Sequence, residues 1–253
     1  MRVIVTRPAA QAAEWVGSLN AQGLDAVALP LIRIETVDDA EPLAAAWQAL
    51  SHCRLVMFVS ANAAQHFFAH RPAGRAWPAS VQAASPGPGT TQALIALGVP
   101  VEAIVEPAAD AAQFDSEALW LRLQTQDWRA TEVLVVRGEG GREWLVDRLV
   151  AAGARVTSVV SYRRVAPRLN AGEQAVLRAA LAAPGVHLWF FSSSEAIGNL
   201  ASLVAPTHDW SRALALATHP RIAARARQLG ITRVLESRPA LNEVIACIQS
   251  IRP

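Results

Sequence analysis

Short apolar, β-branched runs alternate along this chain with longer stretches in which apolar residues recur at helical spacing, the pattern of parallel sheets built from βαβ units. Val3-Ile4-Val5 is the first strand. Pro8 then stands where a first helical turn tolerates it, Trp15, Val16 and Leu19 share one helical face, and Gly23 is placed to end the helix. Residues 55–59 predict a strand feeding a helix that carries Phe67 and Phe68, and residues 90–97 predict a helix stopped by Gly98. Asp115-Ser116-Glu117 opens a further helix before Leu119. The most strand-like run is 133–136, followed by a helix with Trp144, Leu145 and Leu149 that Gly153 ends. Asn170 with Glu173 makes a capping box for the helix through Leu177 and Leu181. Strands are then expected at 186–191, around 214–216 and at 233–235, with a helix to Gly230 and a closing helix from Leu241.

These elements repeat in order. Phe58-Val59-Ser60-Ala61-Asn62-Ala63 returns as Phe190-Phe191-Ser192-Ser193-Ser194-Glu195-Ala196, an offset of 190 − 58 = 132. Gly23-Leu24-Asp25 is echoed by Gly153-Ala154-Arg155 and Val5-Thr6-Arg7-Pro8 by Val135-Val136-Arg137-Gly138, each at 153 − 23 = 135 − 5 = 130. Three echoes at a near-constant spacing predict two copies of one α/β unit, with a cleft between them as the natural place for function. Residues 31–39 and 162–169 read as connectors, where two strands would run side by side if one unit is inserted in the other.

Composition narrows the function. With 253 residues, 52% hydrophobic and 17% charged, the chain is globular and long enough for two domains. No apolar run reaches the roughly 20 residues that cross a bilayer, and the opening residues have too short an apolar core for a secretory signal, so the expectation is a cytoplasmic protein without a membrane partner. Cys53 and Cys247 lack metal-ligand spacing and read as reduced and buried. All 23 basic residues are arginine. The absence of lysine excludes a phosphate-loop lysine, a Schiff-base lysine and a pyridoxal phosphate anchor. A net charge of +2 with scattered arginines excludes a nucleic-acid stripe.

In open α/β sheets ligands bind beyond the carboxyl ends of the strands. Those ends show Thr6-Arg7-Pro8, Ser60-Ala61-Asn62, Gly87 to Thr90, Arg137-Gly138 through Arg142, Ser192-Ser193-Ser194, and Thr218-His219-Pro220-Arg221. Helix N-termini offer free N–H groups and partial positive charge, so six such ends suit a ligand with several anionic groups. Each hydroxyl taken singly is an ordinary cap. Acid–base machinery is sparse. Glu139 and Glu195 stand at these ends without a paired base, and His66 and His70, although at i, i+4, have Phe67 and Phe68 between them and favour a role other than metal binding.

In order and spacing, these motifs resemble the uroporphyrinogen-III synthase family. The resemblance rests on Val5-Thr6-Arg7-Pro8, residues 58–63, Gly87-Pro88-Gly89-Thr90, Val135-Val136-Arg137-Gly138, Tyr162-Arg163 and Phe191-Ser192-Ser193, and covers essentially the whole chain. It implies two similar flavodoxin-like parallel-sheet (α/β/α) domains joined by a two-stranded linker. The first would be residues 1–34 and 168–253, and the second, inserted one 35–167. It implies cyclisation of hydroxymethylbilane to uroporphyrinogen III with loss of water and inversion of the last pyrrole ring, with no metal or cofactor, and the chain is expected to act as a monomer. The substrate's eight carboxylates suit anion-friendly strand ends. The implied chemistry is loss of the terminal hydroxyl to an azafulvene, attack by the substituted carbon of the last ring to give a spiro intermediate, then fragmentation and reclosure.

In the family a tyrosine stands where Tyr162, the single tyrosine of this chain, is found, and it is expected to donate toward the departing hydroxyl. One departure is Thr218-His219-Pro220-Arg221, which lacks the threonine of the family's Gly-Pro-x-Thr turn and leaves Thr218, His219 or Arg221 to take that contact. The rival reading is a non-enzymatic two-lobed binding protein for a polyanionic small molecule. A flavodoxin-like redox protein fits less well, since Thr6-Arg7-Pro8 makes a poor phosphate loop.

Overall fold

The computed structural model describes residues 1–251. The chain forms two compact units, Met1–Arg33 with Val165–Pro253, and Ile34–Arg164. Strand β1 (Arg2–Val5), helix α1 (Ala9–Ala21) and β2 (Asp25–Ala28) open the first unit. The inserted unit follows as β3 (Arg33–Thr36), α2 (Glu41–Ala49), β4 (Leu55–Phe58), α3 (Ala61–Phe68), β5 (Gln82–Ala84), α4 (Pro88–Ala96), β6 (Ile104–Val105), α5 (Ser116–Leu123), β7 (Glu132–Gly138), α6 (Trp144–Ala151) and β8 (Arg155–Val165). The chain then completes the first unit with α7 (Ala171–Ala182), β9 (His187–Phe191), α8 (Ser194–Leu203), β10 (Leu214–Ala217), α9 (Pro220–Gln228), β11 (Arg233–Glu236) and α10 (Leu241–Ser250).

The first sheet has the order β11-β10-β9-β1-β2 with parallel ladders throughout. Numbered within that unit the order is 2-1-3-4-5, the flavodoxin-like arrangement. The second sheet is β3-β8-β7-β4-β5-β6, parallel from β8 to β6. It repeats the same spatial order when β7 and β8 are matched to β1 and β2, and β4, β5 and β6 to β9, β10 and β11. The two copies are therefore circular permutations of one pattern. This is why the echoes near residues 5 and 135 and near 58 and 190 keep one offset although the units are nested.

The central strands β1, β4, β7, β9 and β10 are buried on both faces, as parallel sheets covered by helices must be, while the edge strands are partly open. In β4, Val56 and Phe58 join one cluster with Leu134 and Val136 of β7, while Leu55 and Met57 join the opposite cluster with Val133 and Val135. In the first unit Val3, Val5, Leu188, Phe190, Leu214 and Leu216 share a face, and Trp189 stacks on Phe191 on the other, with ring centroids 6.1 Å apart. Local signals close the helices. Gly23 after α1 and Gly153 after α6 both take positive φ, 71° and 96°, where a side chain is strained. The Asn170–Glu173 capping box is formed at α7, and Asp115 caps α5.

One stretch differs from its reading as a connector. Residues 162–165 belong to β8, an eleven-residue strand, and Tyr162 is 2% exposed within the core of the inserted unit. The stretch 31–39 holds β3, which lies beside β8 at the sheet edge. Cys53 and Cys247 are half-buried free thiols, and burial pushes both above the usual thiol range. Among the described residues no helix is long and apolar enough to cross a membrane.

Candidate functional site

Parallel ladders deliver the turn after each strand to one edge of its sheet. In the 2-1-3-4-5 order the chain leaves strand 1 toward one side and strand 3 toward the other, and the turns part to form a crevice at that switch point. In the inserted unit the switch lies between β7 and β4, so it is flanked by Arg137-Gly138 and by Ser60. In the first unit it lies between β1 and β9 and is flanked by Thr6-Arg7 and by Ser192-Ser193-Ser194.

At the switch of the inserted unit the residues form one connected group. Ser60 caps α3, its Oγ accepting from the Ala63 amide at 3.1 Å. The same Oγ lies 3.1 Å from the Tyr162 phenol oxygen, joining residues 102 apart in sequence. Arg164 Nη1 donates to that phenol oxygen at 3.4 Å. The Tyr162 ring stacks on the His66 imidazole with centroids 5.8 Å apart, and it lies directly on Gly138. A Cβ at Gly138 would meet Tyr162 Cζ at 2.7 Å. Glycine is required there by close approach, and Gly138 is buried. It seats the ring, and the ladder shifts register between Arg137 and Gly138 to pair Gly138 with Tyr162. Burial, aided by His70, holds the His66 imidazole below its usual value. His70 turns its Nδ1 back to the His66 carbonyl at 3.0 Å, and among the described residues no group of three metal-ligating side chains forms. Ala61 and Asn62 occupy the exposed-side first turn of α3, both partly open to solvent.

At the switch of the first unit Thr6 is 1% exposed, and its hydroxyl donates to the Phe190 carbonyl at 2.7 Å, bracing β1 against β9. Arg7 lies with Cζ 4.4 Å from the Trp15 ring centroid and 5.7 Å from that of Phe190. Its Nη1 makes a long contact with Gln11 Oε1 at 3.4 Å, and its Nε is shielded from solvent without a partner. Desolvation lowers the Arg7 pKa to about 10, against a small opposing effect of Glu14, so it keeps its charge at neutral pH. Ser193 caps α8 through the Glu195 amide at 3.2 Å. Ser192 is partly open, and Ser194, the first residue of α8, is exposed. The caps match Ser60 with Ser193, one residue beyond the match suggested by the sequence echo.

The remaining strand ends are more committed. Gly87 precedes α4, its amide held by Ser85 Oγ at 3.2 Å, and Thr90 is buried in the first turn. Arg137 is held by Glu143 at 2.8 Å. Arg142 meets both oxygens of Glu117, at 2.6 and 3.3 Å, which raises its pKa. Thr218 is 4% exposed, and His219 caps α9 by accepting from the Arg221 amide at 3.1 Å, leaving Arg221 exposed on the first turn.

Sequence reasoning missed several members. Arg164 could have been found, because two residues past Tyr162 on a strand is the same face. His66, at metal-ligand spacing from His70 in the sequence, is the stacking partner of Tyr162. Glu117, Glu143 and the Ser85–Thr91–Glu106 network, with Thr91 Oγ1 2.6 Å from Glu106, left no local signal. Arg163, next to Tyr162, meets both oxygens of Asp38 at 2.8 and 3.0 Å.

A family model described as uroporphyrinogen-III synthase HemD matches residues 13–246. The uroporphyrinogen-III synthase of Salmonella typhimurium is 30% identical over 237 residues, covering 91% of this chain and 92% of that protein. That of Escherichia coli is 29% identical over 234 residues with the same coverage. Among solved structures, a mutant uroporphyrinogen III synthase of Thermus thermophilus superposes with TM-score 0.60 at 17% identity, over 99% of this chain and 96% of that one. The Helicobacter pylori synthetase gives 0.59 at 14% identity with full coverage of both. At such identities these two likenesses speak for the fold.

Proposed function

The chain belongs to the uroporphyrinogen-III synthase family, and we propose that it performs that family's reaction through the switch-point turns of its two units. It is a lyase of tetrapyrrole biosynthesis that cyclises the small-molecule substrate hydroxymethylbilane. The substrate closes unaided to the wrong isomer, so the enzyme's task is to hold its ends until the inverted closure wins.

The observation that carries the site assignment is the Ser60–Tyr162 hydroxyl pair, 3.1 Å apart, at the switch point of the inserted unit. In this reading the pair serves the departing hydroxyl. The azafulvene forms, the substituted carbon of the last ring attacks it, and the spiro intermediate fragments and recloses with that ring inverted. Substrate carboxylates are taken up by the partial positive ends of α1, α3, α4, α8 and α9. Arg7 contributes most among the arginines, because Arg137 and Arg142 are already occupied by Glu143 and Glu117. Thr6, Thr90 and Thr218 hold their turns from within, while Ala61, Asn62, Ser192, Ser193, Ser194, His219 and Arg221 present amides or side chains. Each ordinary contact contributes about 1 kcal/mol. The reading also takes the enzyme as a cytoplasmic monomer, in keeping with two unpaired thiols.

The test is to supply hydroxymethylbilane and separate the cyclic isomers. Isomer III is expected from the protein, and isomer I alone, as without protein, would sink the reading.

A further inference from the structure

We propose that Ser60, rather than Tyr162, presents the hydroxyl that meets the departing oxygen of the substrate, with Tyr162 and Arg164 behind it as positioning residues. This deepens the function proposed above and rests on it.

A guanidinium can only donate, so Arg164 Nη1 gives a hydrogen to the Tyr162 oxygen. A backbone amide can only donate, so Ala63 gives one to Ser60 Oγ. Between the two hydroxyls, 3.1 Å apart, one proton is shared and the other is left over. If serine donated to tyrosine, the spare proton would sit on the phenol of a residue 2% exposed, where a donor without a partner is costly. If tyrosine donates to serine, the spare proton sits on Ser60, which is partly open at the end of β4. Acidity favours the same direction, since a phenol is a more acidic hydroxyl, and so a better donor, than an aliphatic alcohol. The chain thus runs Arg164 to Tyr162 to Ser60 and ends on an outward O–H.

Geometry keeps the tyrosine in this supporting place. Its ring lies against Gly138 and stacks on the His66 imidazole, and its carbonyl accepts from the Glu139 amide at 3.0 Å. It cannot advance past Ser60 without leaving that seat. When the C–O bond of the hydroxymethyl group breaks, the electron pair leaves with oxygen, which Ser60 meets with a hydrogen bond strengthened from behind by a charge. The proton that makes the leaving group water is balanced by the one lost from the pyrrole nitrogen as the azafulvene forms, so no outside acid, oxidant or reductant enters.

The experiment compares Ser60→Asp, Tyr162→Phe and the double variant in single-turnover cyclisation of hydroxymethylbilane. Aspartate keeps the helix cap and still accepts from Ala63 and Tyr162, but it has no proton to give when ionised. The expected losses in kcat are on the order of 100-fold for Ser60→Asp and about tenfold for Tyr162→Phe, scaled from the range for a positioned proton donor. KM should stay within about twofold for Tyr162→Phe and rise for Ser60→Asp, whose charge opposes a substrate carboxylate at the end of α3, and the double variant should have a kcat no lower than Ser60→Asp alone, the non-additivity of groups acting in series. Ser60→Thr, which restores both cap and hydroxyl, should recover most of the rate. A Tyr162→Phe loss larger than that of Ser60→Asp, or losses that multiply in the double variant, would overturn the assignment while wild-type formation of isomer III still stood. Failure of the wild type to form isomer III would instead remove the function itself.

Discussion

Replacing Gly138 by alanine tests the seat of Tyr162 directly. The added Cβ would stand 2.7 Å from Tyr162 Cζ and 3.0 Å from both Cε atoms. Favourable carbon contacts begin near about 3.5 Å, so the ring has to retreat by roughly 0.8 Å. Gly138 is not among the residues at positive φ, so the penalty is steric rather than conformational. The ring has little room, being stacked on His66 and buried in the core of the inserted unit. Overpacking of such a site costs about 1–3 kcal/mol. A ring shift of roughly 0.8 Å also disturbs the 3.1 Å contact with Ser60, whose loss costs about 1 kcal/mol more. The expected destabilisation is therefore about 2–4 kcal/mol, read as a lowered urea midpoint of the transition that contains this unit. The decisive comparison is the same substitution in a Tyr162→Leu background, where no ring opposes the methyl and most of the cost should vanish, a coupling of about 1–3 kcal/mol. A neutral Gly138→Ala, or an equal cost in both backgrounds, would refute the reasoning.

Two further outcomes follow from the electrostatics. Burial holds the folded-state His66 pKa below its unfolded value of about 6.5, so between the two values the unfolded chain binds more protons. Stability should fall as pH drops from about 6.5 toward the folded value and be insensitive to His66 above that window. His66→Asn should flatten this slope in urea midpoints taken from about pH 7.5 to 5, and an unchanged slope would show that other groups carry it. Arg7 stays charged near neutrality with a pKa of about 10, so Arg7→Met should raise KM for hydroxymethylbilane by about 10- to 100-fold, the range for a charge-assisted hydrogen bond. Arg7→Lys should recover little, because a point charge does not stack on Trp15. An unchanged KM in Arg7→Met would remove Arg7 from substrate binding.

Much of the chain was determined by signals that act within a few residues. The Asn170–Glu173 box, the Asp115 cap and the helix-ending glycines at 23 and 153 were legible because each satisfies backbone groups three or four positions away. Apolar runs such as 133–136 declared strands buried on both faces, and with the repeat they determined the α/β class. Short elements were hidden. β5 is Gln82-Ala83-Ala84 and β6 has two residues, so neither shows β propensity, and both exist because a neighbouring strand offers a ladder to join.

The candidate site divided along the same line. Which strand ends carry hydroxyls, glycines and arginines was plain from the sequence, since each turn is local. Which of them are already used was decided by partners far along the chain: Thr6 by Phe190, Arg142 by Glu117, and Tyr162 by Ser60 and Gly138. The sequence alone thus determined the units of the pattern. The pairing of the strands, the permutation that relates the two copies and the burial of Tyr162 came only with tertiary structure, because ladder pairing and side-chain contact depend on distances that the order of residues does not contain.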